Sequence, residues 1–332
     1  MDFLELLLSL AQSTLRFTPI LIFAAMAGVF SERAGIVDIG LEGKLLIGAF
    51  VSATVAHYVG FGLAGMLAAM GACIVFGWLH GLATITFRGD HVISGLAINF
   101  LAVGLTKTIG HALFAKGGDT PNLGGPDSTG WERLQALIPK QVWLDIAPGL
   151  SENPLLLSIV SIHGWLIILA FVTVFGTWWV LMQTRFGLRL RFVGEEPQAI
   201  DTAGASVTAY RFAAVTIAGA LCGIGGAYLS TSNIASFTPG MSADMGYLAL
   251  AAVIFGKWRP FQAMLGCLLF GFLFAVKDRL DGASQGILTQ IPSQFFEALP
   301  YILVVVVLAG FVGTARAPKA VGRPYGKERE SC

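Results

Sequence analysis

Residues 62–87 read GLAGMLAAMGACIVFGWLHGLATITF, a run without a single Asp, Glu, Lys or Arg. A helix needs about 20 mostly apolar residues to cross a bilayer, and this run exceeds that. Working outward, further apolar runs occupy residues 13–30, 36–58, 91–115, 161–183, 211–231, 243–256, 260–281 and 295–315. In lipid every backbone polar group must be satisfied internally, which favours helix in each run. Their length and lack of period-2 alternation argue against a transmembrane β-barrel. The expected fold class is therefore all-α, a polytopic transmembrane helical bundle with about nine spans and one transmembrane domain over 1–332. The run at 243–256 is short for a span and reads as a re-entrant or broken helix.

Composition agrees. Of 332 residues, 55% are hydrophobic and 12% charged, against roughly 25% charged in a soluble domain. The net charge of +1 supplies no field for nucleic acid. Three of the four cysteines, Cys73, Cys222 and Cys267, lie inside apolar runs, and no CxxC or Cys/His cluster exists. Neither a metal, a cofactor nor a disulfide framework is expected. Many of the 41 glycines fall within the runs, where small residues let helices pack closely in lipid. Residues 1–11 lack a basic leader and carry Asp2 and Glu5. They read as an interfacial helix of the mature chain, not a signal peptide.

Basic residues orient the chain. Residues 184–210 hold Arg185, Arg189 and Arg191, with Arg211 at the edge. The tail 316–332 holds Arg316, Lys319, Arg323, Lys327 and Arg329. The positive-inside rule puts both segments, with Arg88, in the cytoplasm and the sparsely basic 116–160 loop outside.

Two polar stretches stand out. Residues 31–44, SERAGIVDIGLEGK, hold Glu32, Arg33, Asp38, Glu42 and Lys44 between apolar runs. On a helix Asp38 and Glu42 share a face. Charges this close to a span are functional or paired; the plainer alternative is a turn with Glu32 and Arg33 solvated and Lys44 snorkelling. The stretch is not a phosphate loop, because Gly43-Lys44 is followed by Leu45. Residues 184–204 contain Gly194, Glu195, Glu196 and Pro197, then Ala199, Ile200, Ala203 and Gly204. Acids and a proline suit a first helical turn, and Gly204 suits its end. A short helix from Glu195 to Gly204 is expected, either as a docking knob for a cytoplasmic partner or as a solvated connector.

The pattern ERxGIVxIGLEGxxLIGA, from Glu32, resembles the permease subunits of ABC importers for nucleosides and simple sugars, a broad group that includes ribose and branched-chain amino-acid permeases. The pattern TxFGLRLRxVGExPxAxxxAG, from Thr184, looks like the coupling loop of the same family. A third match is GYLALAAVIFGKWRP at 246–260. Together they reach across almost the whole chain. Family members more often carry Asn where Asp38 stands and an apolar residue where Lys44 stands. The resemblance implies a pathway formed with a second, related permease subunit. It implies a cytoplasmic ABC ATPase docked on Glu195, Glu196, Pro197, Ala199, Ile200, Ala203 and Gly204. It also implies an extracytoplasmic solute-binding protein, in a bacterial cytoplasmic membrane. Nucleoside rather than free sugar as solute rests on the resemblance alone.

Asp38, Glu42 and Asn99 are the expected substrate-pathway residues. Asn99, flanked by apolar residues, suits a hydrogen bond to a sugar or base, or equally one between helices. Lys107 and His111 share a helix face near the outer mouth, His80 reads as an interhelical histidine, and Trp178 and Trp179 as an interfacial anchor. No nucleophile–base pair or paired-acid constellation of the kind an enzyme needs is present. An ion-coupled secondary transporter is the alternative. That class places ionisable residues at the midplane and often shows inverted repeats; residues 36–50 and 244–256 share only a glycine-punctuated texture.

Overall fold

Residues 18–32 are all buried, so the helix that carries them, α1 (Phe3–Arg33), is enclosed on every side. A helix that is apolar all round has to be covered all round, and six others cover it. A computed structural model describes residues 3–115, 117–123, 164–282, 298, 301–302, 305–306 and 316–326. Helix α1 is followed by α2 (Leu41–Val59), α3 (Gly62–Gly81, continued by a π turn at Leu82–Thr86) and α4 (His91–Phe114). After the described gap come α5 (Gly164–Gln183), the short α6 (Arg185–Glu195) and α7 (Pro197–Thr202), and α8 (Val207–Ala227, continued as π-helix to Ile234). The last two are α9 (Met245–Phe255) and α10 (Pro260–Gly282). Helices α2, α5, α6, α8, α9 and α10 all pack on α1.

Among the described residues, six helices are long and apolar enough to cross a membrane: Leu7–Arg33, Gly62–Thr86, His91–Phe114, Trp165–Gln183, Val207–Ile234 and Pro260–Arg279. The chain is therefore a multi-pass, all-helical membrane protein. Three of the nine expected runs do not appear in that set. Run 36–58 becomes α2, which starts only at Leu41 and carries Glu42 and Lys44 in its first turn. Run 243–256 becomes the 11-residue α9, too short to cross. Run 295–315 lies mostly outside the described residues. Residues 3–12 do not form a separate interfacial helix; α1 runs unbroken through them, past Pro19.

The basic segments converge at one end of the bundle. The Ala320 N–H donates to the Gly194 carbonyl (2.9 Å) and the Gly322 N–H to the Gly35 carbonyl (3.0 Å), and Gly326 lies against the Arg88 guanidinium. At the far end, residues 120–123 pair with 235–237: Thr120 N–H to Phe237 O (3.0 Å) and Leu123 N–H to Ala235 O (2.7 Å).

Helices α2, α3 and α8 approach each other backbone to backbone. A Cβ added to Gly226 on α8 would lie 2.6 Å from the Leu45 carbonyl oxygen, and one on Gly219 would lie 2.6 Å from the Cys73 carbonyl oxygen. Packing of small residues replaces the hydrophobic force that lipid cannot supply between helices. Gly226→Leu is expected to destabilise the detergent-solubilised protein by about 1–3 kcal/mol or prevent its folding. Gly176→Leu, where nothing lies within 4 Å of the added Cβ, is expected to be neutral; thermal unfolding of the two variants checks the contrast.

Candidate functional site

The turn at 34–40 and its flanks are held from several directions, and Glu32, Asp38 and Lys44 are buried there. Glu32, 6% exposed, accepts a hydrogen bond from the Trp258 indole N–H. The Arg33 Nε donates to the Trp258 carbonyl (2.9 Å). Lys44 does not snorkel; it forms a 2.5 Å ion pair with Asp38, both side chains fully buried. The Cys73 thiol donates to the Lys44 carbonyl (3.0 Å). His80 Nε2 bonds the Val37 carbonyl (3.1 Å), while His91 Nδ1 accepts from the Val37 N–H (3.1 Å). His80 is thus an interhelical histidine, as its apolar setting in the sequence suggested.

A second cluster lies deeper. Helix α9 begins at Met245, after an irregular stretch in which Ala243 and Asp244 both take positive φ (43° and 61°). Its first N–H groups have no intrahelical partners, and Glu42 supplies them. The Glu42 carboxylate accepts from the Gly246 N–H (2.7 Å) and the Asp244 N–H (3.2 Å). Asn99 performs the same service for α2: its Oδ1 accepts from the Gly43 N–H (2.8 Å), and its Nδ2 donates to the Ile39 carbonyl (3.1 Å) and the Tyr247 hydroxyl (2.7 Å). The helices can come this close because Gly43 and Gly246 have no side chains. A Cβ on Gly246 would sit 2.5 Å from the Glu42 nitrogen, and one on Gly43 2.8 Å from Asn99 Cα.

The depth of this cluster follows from helix rise. Trp258, just past α9, sits against Arg33 at the basic end. At about 1.5 Å per residue, α9 climbs about 15 Å from there to its first residue. Arg16, whose guanidinium donates to the Asn233 carbonyl at 2.8 Å, lies about 26 Å from Arg33 along α1. The start of α9 is therefore near the middle of a hydrocarbon layer about 30 Å thick. At that depth Asp244 is exposed and Tyr247 half-buried, and the Tyr301 hydroxyl donates to Asp244 Oδ2 (3.2 Å). A carboxylate facing lipid at mid-membrane costs about 2.5–3.5 kcal/mol, so this face belongs to a polar path or a protein contact. Sequence reading passed over Asp244 because it resembles a loop acid; its position against a run too short to span was the available signal.

At the basic end, Thr184 caps α6 by accepting from the Gly187 N–H (3.0 Å). The expected helix from Glu195 to Gly204 is shorter than the sequence suggested. Helix α6 continues through Gly194 to Glu195, and only Pro197–Thr202 forms α7. Glu196 is non-helical (φ −142°, ψ 79°), because the residue before a proline avoids the α region. Gly204, at φ +78°, ends the turn as expected. Ile200 packs inward on Val193 and Val207, whereas Ala199, Ala203 and Gly204 are exposed. Glu195 reaches the tail, accepting from the Lys319 N–H (3.3 Å). Arg211, 1% exposed, donates to the Arg323 carbonyl (3.3 Å). The three stretches singled out in the sequence thus meet: the 34–40 turn touches α6, and the end of α1 that leads into it bonds Trp258 just past α9. Asp38, Glu42 and Asn99 gather around α2, and the residues of α7 sit apart at the basic end.

Residues 10–308 match the family model described as branched-chain amino acid transport system / permease component. The chain belongs to that family. The permease is 37% identical to the "Guanosine ABC transporter permease protein NupQ" of Bacillus subtilis (strain 168), over 98% of this chain and 99% of that one. It is 41% identical to the "Nucleoside ABC transporter permease protein NupC" of Lactococcus lactis subsp. cremoris (strain MG1363), over 93% and 94%. A third relative, the "Putative glucose ABC transporter permease protein TsgC13" of Haloferax volcanii, is 28% identical over 97% and 98%. No solved structure matches the permease. As a permease component it is a transport subunit and not an enzyme.

The Asp38–Lys44 pair gives a direct test of how the permease tolerates buried charge. Breaking a buried pair from one side strands the other charge, at about 3–5 kcal/mol, whereas removing both is often nearly neutral. Asp38→Asn and Lys44→Met are each expected to lower the unfolding temperature markedly. The double variant should recover most of the loss, as read by thermal unfolding in detergent.

Proposed function

We infer that this chain is the membrane-spanning subunit of an ABC importer that carries nucleosides across a bacterial cytoplasmic membrane. The observation that carries the reading is near-full-length similarity to two proteins named as guanosine and nucleoside ABC transporter permeases, at 37% and 41% identity. Two permease subunits, this one and a related chain, form the pathway within the lipid. The exposed small residues on and just after α7, Ala199, Ala203 and Gly204, offer a cytoplasmic ATPase a surface that its side chains can grip. Glu195, Glu196, Pro197 and Ile200 set the angle of that surface, Ile200 by packing inward. An extracytoplasmic binding protein delivers solute to the end where residues 117–123 meet 235–237. In this reading Glu42 and Asn99 hold the pathway wall at mid-membrane, and the Asp38–Lys44 pair stiffens the turn from which that wall starts.

Because α6 packs against the 34–40 turn, displacement of α7 by the ATPase is felt at the start of α2 and the end of α9. A ligand or partner shifts such an equilibrium only through different contacts in its two states, and the ATPase supplies them.

Uptake of radiolabelled guanosine by cells expressing the complete importer tests the reading. Ala199→Asp and Gly204→Val are expected to cut uptake about tenfold or more while the permease level in the membrane stays constant. Uptake that persists after an inactivating change in the ATPase would favour an ion-coupled secondary transporter and overturn the assignment.

A further inference from the structure

Three polar side chains at mid-membrane face outward from the described bundle and have no role in capping. Asp244 is exposed; its backbone N–H is taken by Glu42, and its carboxylate accepts from the Tyr301 hydroxyl. Tyr247 is half-buried, with its hydroxyl oxygen accepting from Asn99, so the phenolic proton remains a donor. Tyr301 is 42% exposed. Glu42 and Asn99 are different: their polar atoms are spent on the backbones of α9 and α2. Asp244 and Tyr247 are therefore held in place by residues that do not themselves reach out, and Tyr301 is tied to Asp244.

We propose that Asp244, Tyr247 and Tyr301 form the solute-binding site of the permease, with Asp244 gripping the vicinal diol of a ribose and the tyrosine rings taking the base. This rests on the nucleoside reading given above and names the residues behind it. The chemistry fits in three respects. A carboxylate has two acceptor oxygens, which match the two O–H donors of a cis-diol. Aromatic faces stack on any base without sequence-like preference. The carboxylates of Glu42 and Asp244 side by side repel phosphate, so an uncharged nucleoside is admitted in preference to a nucleotide. The site also sits on the irregular stretch that precedes a half-length helix, where discontinuous membrane helices expose backbone and polar groups to a transported solute.

A site built to bond a hydroxyl rejects an analogue that lacks it far more strongly than an apolar pocket rejects a missing methylene. The test compares maximal uptake rates of guanosine and 2′,3′-dideoxyguanosine in cells expressing the complete importer, normalised to permease level by immunoblot. The binding protein is the same throughout, so a change in the ratio of the two rates reports the permease. Wild type is expected to prefer guanosine, and Asp244→Asn to lower that preference about tenfold, with Asp244→Glu restoring part of it. Tyr247→Phe should retain the preference, since the ring remains, and Tyr247→Ala should slow both solutes alike. An unchanged ratio in Asp244→Asn at normal permease level overturns the site while leaving the importer assignment standing. A proportional loss of both solutes with falling permease level also overturns it, in favour of a packing or subunit-contact role. If wild type takes up no nucleoside at all, the solute reading falls and this site with it.

Discussion

A helix that begins in the middle of a membrane leaves its first N–H groups with no water to bond. Glu42 resolves that problem for α9 by accepting from Gly246 and Asp244, and the rest of the central architecture depends on it. Without that carboxylate, α9 would have to extend across the full membrane or unwind, because unsatisfied backbone groups in hydrocarbon cost several kcal/mol each. An acid at a helix N-terminus is doubly suited, as acceptor and as charge complementing the helix dipole. Asn99 repeats the solution one helix away, for α2. Two helices thus start inside the membrane, and each start is closed by a side chain from a neighbour.

That arrangement has consequences for motion. The 34–40 turn connects the basic end to the start of α2; it is clamped by His80 and His91 and by the tail through Gly322, and Trp258 after α9 fixes the end of α1 just before it. Gly194 on α6 lies against Arg33 and Gly35. A force applied at α7 therefore passes through backbone contacts, with little slack, to the level of Glu42. The Asp38–Lys44 pair adds stiffness in the same region: a desolvated ion pair is geometrically demanding even where it contributes little net stability.

Close helix approach makes these contacts possible. Glycines on α2, α3, α8 and α9 bring backbones within reach of one another, in a setting where packing and interhelical hydrogen bonds, not water, drive association. The exposed Asp244 and half-buried Tyr247 at mid-membrane are then conspicuous.

Much of this was legible in the residue order. Charge-free runs longer than about 20 residues determine helices, since lipid leaves the backbone no other solution. The basic clusters determine that 184–210 and the tail share an end, and the shortness of run 243–256 determines that it cannot span. Proline at 197 and glycine at 204 mark the bounds of α7 to within two residues, although the extension of α6 through Gly194 depends on its packing against Arg33. What only the tertiary structure decided is which polar groups spend their hydrogen bonds on one another. Glu32, Asp38, Glu42, Lys44 and Asn99 look alike in sequence as polar residues near apolar runs. Asp38 and Lys44 find each other six positions apart. The partners of Glu32, Glu42 and Asn99 lie 56 to 226 positions away, on α2, at the start of α9 and at Trp258 just past it, and nothing local encodes that distance. Asp244 differs from them in staying exposed, a property that belongs to the packed bundle and not to any stretch of the chain.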